Sequence, residues 1–568
     1  MTLIRRRRPN LGNGNLGKSG ENRVEFDFVI VGAGSAGCVL ANRLSDGGKH
    51  RVALLEAGGR DTYPWIHVPV GYFKTMGNPR VDWGYQTEPD PGLNGRAITW
   101  PRGKVLGGSS SINGLLYVRG QPQDFDGWRQ LGNAGWSWDD VLPYFKRSES
   151  YAGGDDSLRG RGGPLSVSDA AVSRRIVDLW KEAAVQAGHP CNPDYNGEAQ
   201  EGVSQFQLTI RNGRRCSSAV AYLDPARARR NLTVLTGCAA SHILFDGKRA
   251  TGVAAVHRGR KIEVRAVKEV ILAAGAIASP QLLMVSGIGD PERLKPHGIA
   301  VRHELAGVGS NLQDHLQARP VYKCTESTIN TEINSLFKRA MIGLRYVVTR
   351  GGPMAMAASL GTAFLKTRPE LEVPDIQFHV QPFSTDEMGS EAHRFDAFTT
   401  SVLQLRPESA GHIALRSADM RDHPVIHPNY LATRTDRDTL VAGIRVARDI
   451  VRRSPVKEAI TEEYQPGAAI ADDDYGALLD WARDTSTTIY HPTGTCRMGS
   501  DPQAVVDDRL RVHGVAGLRV VDASIMPAIV SGNTNAPTIM IGEKASDMIL
   551  DDAKARTVAP PAAQAVPA

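Results

Sequence analysis

The sequence predicts an α/β protein, α+β overall, in which a Rossmann-type domain carries a second, inserted domain. Three observations predict it. An apolar strand, Val29-Ile30-Val31, runs directly into Gly32-Ala33-Gly34-Ser35-Ala36-Gly37, and a second strand, Arg51-Val52-Ala53-Leu54-Leu55, ends on Glu56. This is the dinucleotide fingerprint in its strand–turn–helix setting. The chain has 568 residues, more than one small core serves. Strand-like runs fill 231–275 and return at Leu518-Arg519-Val520-Val521-Asp522, while the block 317–480 between them has strands and helices of its own.

Each part of the first βαβ unit, residues 26–60, has a physical task. Gly32 lets the chain turn sharply. Gly34, with Ser35 and Ala36 beside it, lets backbone N–H groups approach a pyrophosphate, and Gly37 lets the helix pack close to the sheet. That helix points its positive end at the phosphates. Glu56, roughly 20 residues past Gly37, suits a ribose hydroxyl, with Ala57 next to it. The fingerprint does not say which dinucleotide is bound. Residues 61–160, rich in Gly, Pro and Trp, read as long loops with short helices, and loops of that length point to function. Strands are expected at Leu232–Leu235, Ala240–Phe245, Gly252–His257, Glu269–Ala274, Asp375–Pro382 and Phe398–Leu405, and helices at Arg434–Arg453 and near Pro537–Leu550.

Composition narrows the classes. Hydrophobic content of 41% and charged content of 23% are ordinary for a globular protein. Most of the net charge of +6 comes from Arg5, Arg6, Arg7, Arg8, Lys18 and Arg23, so the body is near neutral and no nucleic-acid partner is indicated. No apolar stretch follows the arginines, so residues 1–25 read as a disordered basic leader rather than an export signal. The Ala- and Pro-rich residues 553–568 read as a disordered tail. Val270–Gly289 is uncharged, but Gly275, Pro280, Gln281 and Gly287 interrupt it; a buried strand, turn and helix fit better than a membrane span. No transmembrane segment is expected, and peripheral contact with a membrane is left open. The six cysteines lack metal-site or redox-motif spacing, so free thiols, a cytoplasmic location and no metal are expected.

Several longer motifs resemble the glucose–methanol–choline (GMC) oxidoreductases. They are Gly103-Lys104-Val105-Leu106-Gly107-Gly108-Ser109-Ser110-Ser111-Ile112-Asn113, Gly275-Ala276-Ile277-Ala278-Ser279-Pro280 ending in Ser286-Gly287-Ile288-Gly289, Asn311-Leu312-Gln313-Asp314-His315, Tyr490-His491-Pro492-Thr493-Gly494-Thr495 and Asp522-Ala523-Ser524-Ile525-Met526-Pro527. The resemblance covers roughly 26–550 and is strongest to the choline-dehydrogenase-like branch. It implies FAD, an FAD-binding domain in three parts (26–160, 211–316 and 481–552), and a substrate domain on an antiparallel sheet (161–210 and 317–480). It also implies oxidation of a primary alcohol to an aldehyde, with electrons passed to a quinone or another acceptor. An oxidase returning them to dioxygen, or a hydroxynitrile-lyase-like enzyme with structural FAD, would share these motifs.

The resemblance also implies site residues. The family's conserved histidine falls on His491, expected to act as general base, since an imidazole titrates near working pH. The second member of the pair falls on Asn535, expected to orient the substrate oxygen, with Asn533 as a nearby rival. Gly107, Gly108, Asn113 and Leu115 are expected at the isoalloxazine and ribityl groups, Asp522 and Ala523 at the cofactor's middle, and Ala240 at adenine. Some members tether FAD through a histidine near residues 100–112. This chain has no histidine from 68 to 188 and carries Trp100 and Ile112 at the two positions concerned, so FAD is expected to be non-covalent. His315 and His379 are expected to serve as crossover or core residues.

Overall fold

The computed structural model describes residues 25–386 and 391–558. Two sheets organise them. The first has seven strands, in the order Leu232–Thr236, Val52–Glu56, Glu25–Val31, Arg260–Leu272, Arg249–His257 and Cys238–Asp246, with Leu518–Val520 paired to the end of Arg260–Leu272. Its central pairings are parallel: Val29 lies opposite both Ala53 and Val270, and Ile271 opposite Arg519. A parallel sheet is covered on both faces and needs a continuous apolar run, and Val52 to Glu56 are all buried. The strand expected at Glu269–Ala274 is longer, Arg260–Leu272. Its first half pairs antiparallel with Arg249–His257, while its second half joins the parallel core.

The second sheet has eight strands, all paired antiparallel. The order is Ile460–Gln465, Val321–Cys324, Ala397–Gln404, Ile376–Gln381, Gly361–Leu365 and Gly202–Gln205, with Leu316–Ala318 and Thr487–Thr488 joined at one side. Helix Arg434–Val451 packs on it, with Leu440, Val441 and Ile444 buried. One contiguous apolar core includes Ile30 and Leu54 of the first sheet and Phe378 and Val402 of the second.

The first helix, Ser35–Leu44, and the final helix, Asn535–Val558, pack side by side. Gly542 permits the close approach: a Cβ there would lie 3.1 Å from Ala36 Cα and from Val39 Cβ. The fully buried Glu543 carboxylate ties both to the loop region, meeting Arg43 at 2.7 Å, Arg147 at 2.8 Å and the Tyr222 hydroxyl at 2.9 Å. Removing one partner of such a buried pair costs about 3–5 kcal/mol. The final helix starts two residues before Pro537 and runs to Val558, so 553–558 continue it rather than beginning a disordered tail. Glu25 belongs to a strand; the rest of the basic leader and the tail beyond 558 lie outside the described residues.

Candidate active site

A cavity of about 1420 Å³ is lined from both sheets. At one end it meets the glycine loop. Gly32 has φ +101, and a Cβ there would sit 2.5 Å from the Ala273 carbonyl oxygen. Gly34, Ser35 and Ala36 line the cavity, and the helix they open has no side-chain cap, so its first N–H groups are free for an anion. Glu56 closes this end: its Oε2 accepts from Ala33 N at 2.9 Å and its Oε1 from Gly58 N at 2.7 Å. Burial pushes its carboxyl up to about 7. Gly32, Ala57, Gly108, Asn113, Leu115, Ala240, Asp522 and Ala523 also line the wall, as expected of residues around a long dinucleotide.

Two expected cofactor residues do not. Gly37 packs inside the turn, where a Cβ would be 1.9 Å from the Gly32 carbonyl oxygen. Gly107, at φ +90, donates its N–H to Ala33 O at 2.7 Å and so anchors the second glycine loop to the first. Their task is close packing of backbone. Asp522 reaches the cavity, but its carboxylate holds structure: it accepts from Gly275 N at 2.8 Å, Ser279 Oγ at 2.6 Å and Ser524 N at 2.8 Å.

At the other end stands His491. It follows Tyr490, whose φ of +72 is a conformation costing on the order of 1–3 kcal/mol in a non-glycine residue. Neighbouring segments over-determine that strain. Arg102 Nη2 donates to the Tyr490 carbonyl at 2.6 Å, and the His491 N–H donates to Asp314 Oδ1 at 2.7 Å. Asp314 also accepts from Thr488 Oγ1 at 2.6 Å and from the Tyr430 hydroxyl, and burial raises its carboxyl to about 6. Gln313 and Thr493 pair through their backbones. The segments 311–315 and 490–495 therefore form one scaffold for one imidazole.

The hydrogen bonds around that imidazole set its tautomer. His315 Nε2 lies 3.0 Å from the Leu405 carbonyl oxygen, which can only accept. His315 Nε2 therefore carries the proton and its Nδ1 is bare. His491 Nδ1, 3.0 Å from His315 Nδ1, must then donate, which leaves His491 Nε2 bare and able to accept, and Asn533 Nδ2 lies 3.1 Å from it. Burial first, then the repulsion a proton on His491 would meet from His315 and His379 when they are charged and from Arg102, holds the His491 pKa well below its ordinary value. The arrangement is a neutral imidazole with its basic nitrogen exposed to the site.

The amide against that nitrogen belongs to Asn533, with Nδ2 3.1 Å from His491 Nε2. Asn535, expected there, lines the cavity but turns its Oδ1 to the Ser35 hydroxyl at 2.8 Å. As the first residue of the final helix it meets the start of the first helix, which draws its side chain to the glycine-loop side. His379 also departs from expectation. Ile376, Phe378 and Val380 are buried as the alternation requires, but His379 lines the cavity, its Nε2 has no partner, and burial lowers its pKa to about 3. The period-2 pattern held the signal, since a histidine on the face opposite an apolar row has to meet something polar. Gln317, Ser359 and Gln381 share this wall. The same alternation marks Gln381, two residues on from His379, while no local pattern marked Gln317 or Ser359.

The cavity fits a dinucleotide cofactor at the loop end and places unpartnered polar atoms, Asn533 Oδ1, His379 Nε2, Gln317 Oε1 and Gln381 Oε1, at the other. A Rossmann-type domain joined in this way to an antiparallel substrate sheet defines the class of flavin-dependent oxidoreductases. Family models described as GMC oxidoreductase match residues 26–317 and 407–542. The mouse (Mus musculus) mitochondrial choline dehydrogenase is 42% identical over 534 residues, covering 92% of this chain and 89% of that protein. The oxygen-dependent choline dehydrogenase of Brucella suis is 44% identical over 531 residues, covering 93% and 96%. Among solved structures, pyridoxine 4-oxidase from Mesorbium loti superposes with a TM-score of 0.83 at 33% identity, covering 92% of this chain and 98% of that one. An Aspergillus oryzae formate oxidase variant superposes with a TM-score of 0.86 at 28% identity, covering 94% and 100%. The chain belongs to the GMC oxidoreductase family. It is an FAD-dependent oxidoreductase acting on the CH–OH group of donors.

Proposed function

We propose that the protein oxidises an uncharged primary alcohol to the aldehyde, with His491 taking the hydroxyl proton at Nε2. The observation that carries this is the relay Leu405 carbonyl, His315, His491, which leaves that nitrogen unprotonated and able to accept. Asn533 donates from Nδ2 to the same place and holds the developing alkoxide oxygen. Bound FAD supplies the acceptor for hydride from the carbinol carbon. Asn535 and Ser35 serve the cofactor side, and Gly34 with the N–H groups of Ser35 and Ala36 holds the pyrophosphate. FAD is non-covalent: Ile112, on the cavity wall, offers no nucleophile. Acid precipitation should therefore release all of the flavin into the supernatant.

The choice of an uncharged substrate comes from the wall around His491. Among the described residues, the acids lining the cavity are Glu56, Glu263, Asp419 and Asp522. None is on the antiparallel sheet, where Gln317, His379 and Gln381 stand, with Ser359 just before strand Gly361–Leu365. Arg102 and Lys104 add positive charge, and Lys104 Nζ already covers the Trp83 ring at 4.4 Å. A quaternary ammonium group wants aromatic faces and gains from a nearby carboxylate; Tyr72 and Tyr490 line the cavity, but no acid of the antiparallel sheet does, so the wall favours an uncharged alcohol over the choline of the relatives' names. Anaerobic reduction of the flavin by choline and by its neutral isostere 3,3-dimethylbutan-1-ol tests this. The neutral alcohol should have the larger kcat/KM, and a preference for choline would overturn the substrate assignment.

The acceptor we propose is a quinone-like molecule; the relatives' names divide on this point, the mouse protein being a choline dehydrogenase, the Brucella suis one an oxygen-dependent choline dehydrogenase and the pyridoxine and formate enzymes oxidases. Slow return of flavin colour in air and fast return with a soluble quinone would support it. The six unpaired cysteines suit a reducing, cytoplasmic compartment. Among the described residues no helix is long and apolar enough to cross a membrane.

A further inference from the structure

Most exposed apolar side chains in the structure occur singly, which is normal for a surface. Helix Leu336–Thr349 is different. Leu336 is 80% exposed, Phe337 75%, Val348 73%, Val347 65%, Leu344 56% and Met341 49%. At 100° per residue these six fall within an arc of roughly 140°. Only Tyr346 of this helix is buried, and Ile342 is half-buried beside it, so the opposite side of the helix is the one that meets the protein. The apolar arc faces outward, where nothing among the described residues covers it.

Cations border that arc. Lys338 and Arg345 fall along one edge of it and Arg339 along the other, and the helix contains no Asp or Glu. Arg350 ends the helix in a left-handed conformation. The Tyr346 hydroxyl donates to the Gly213 carbonyl at 3.0 Å, which fastens the hairpin Ile210–Arg215 alongside and brings the exposed Arg214 to the same border. Among the described residues none of these five cations has a carboxylate ion-paired to it, whereas the nearby Arg174 is fully engaged by Glu332. An apolar face with unpaired cations at its margins is complementary to an interface that is apolar inside and negative at its rim.

We infer that helix Leu336–Thr349 is a docking surface for an anionic phospholipid bilayer, lying in the interface with its apolar arc inserted and its cations among the headgroups. The helix is too short and too charged to span a membrane, and it would act as a peripheral anchor. From its end the chain runs through Pro353–Ala355 to Ala358 and Ser359, which line the cavity. Docking therefore sets one wall of the site close to the bilayer, where an acceptor dissolved in lipid could reach it.

The test uses the full-length, FAD-loaded protein and sedimentation with vesicles of phosphatidylcholine alone or containing phosphatidylglycerol. The wild type should bind the anionic vesicles and release as salt is raised. Phe337→Glu with Leu344→Glu, and separately Lys338→Glu with Arg345→Glu, should each weaken binding about ten-fold or more while flavin content and turnover with a soluble acceptor stay unchanged. The substituted side chains are solvent-exposed, so folding is not at issue, and flavin content verifies it. Absence of wild-type binding would overturn the inference. So would unchanged binding by both variants, or binding lost instead when Arg5, Arg6, Arg7 and Arg8 are replaced. A wild-type dimer in light scattering that the Phe337→Glu, Leu344→Glu variant converts to a monomer, without any vesicle binding, would assign the helix to a second copy of the chain instead.

Discussion

Nδ1 of His315 and Nδ1 of His491 face each other across 3.0 Å, with ring planes 86° apart. Two imidazole nitrogens can share one proton at that distance, and the Leu405 carbonyl decides which ring owns it. On the proposed mechanism His315 is therefore a positioning residue that fixes the tautomer of the proposed base. His315→Leu should lower kcat by about 10²-fold or more and leave KM for the alcohol and FAD content near normal. A KM change with kcat retained would mean that His315 serves substrate binding or packing alone.

The same contact predicts a pH signature. The His491 pKa is held well below its ordinary value, so the base is already neutral at pH 7 and protonates only as pH falls through the lowered value. The wild-type kcat/KM should stay level from about pH 8 to about pH 6.5 and decline only at more acid pH. His315 is one cause of the depression. Its removal should raise the His491 pKa and move the acid limb to higher pH. An acid limb that stays in place in His315→Leu would contradict the coupling.

Asn533 and Asn535 should separate cleanly. Asn533→Ala removes the donor beside His491 Nε2 and should cost about 10²–10³ in kcat with FAD retained. Asn535→Ala breaks the contact with Ser35 and should act mainly on FAD affinity. Flavin titration and single-turnover reduction on both variants check this, and the reverse pattern would return the oxygen-binding role to Asn535.

The two glycines of the first turn should also part company. A Cβ at Gly34 meets nothing nearer than the Ala273 carbonyl oxygen at 3.8 Å, whereas one at Gly37 would be 1.9 Å from the Gly32 carbonyl oxygen. Gly34→Val should fold but lose FAD, because the side chain projects toward the pyrophosphate. Gly37→Val should lose soluble, folded protein. Calorimetry and flavin content distinguish the two, and a stable Gly37→Val enzyme with normal FAD would refute the packing role.

Much of this was legible because local chemistry and global fold agree. A strand–glycine–helix unit can be read in a window of about 30 residues, and Val52 to Leu55 announce a doubly covered strand by being apolar throughout. The alternation at Ile376–Gln381 marks a strand whose face opposite the apolar row, with His379 and Gln381, is the one that meets the cavity. What stayed hidden depends on distance in sequence. His315 and His491 are 176 residues apart and Leu405 is 90 from His315, so no window holds the relay that sets the tautomer. The choice between Asn533 and Asn535 turned on which of two amides, two residues apart at a helix start, faces the imidazole. Asn535 contacts Ser35 and Asn533 lies beside His491, contacts that no local sequence pattern distinguishes. The apolar arc of Leu336–Thr349 was present in the sequence, but whether it faced the core or the solvent is a tertiary fact.

The most direct test of the account is anaerobic, single-turnover reduction of the bound flavin by an uncharged primary alcohol, in the wild type and in His491→Ala. The wild-type flavin should bleach, and His491→Ala should hold its full complement of FAD yet bleach about 10²–10⁴ times more slowly. Equal rates in the two proteins, or a wild-type flavin that stays yellow with every alcohol offered, would contradict the assignment of His491 as the base of an alcohol oxidation.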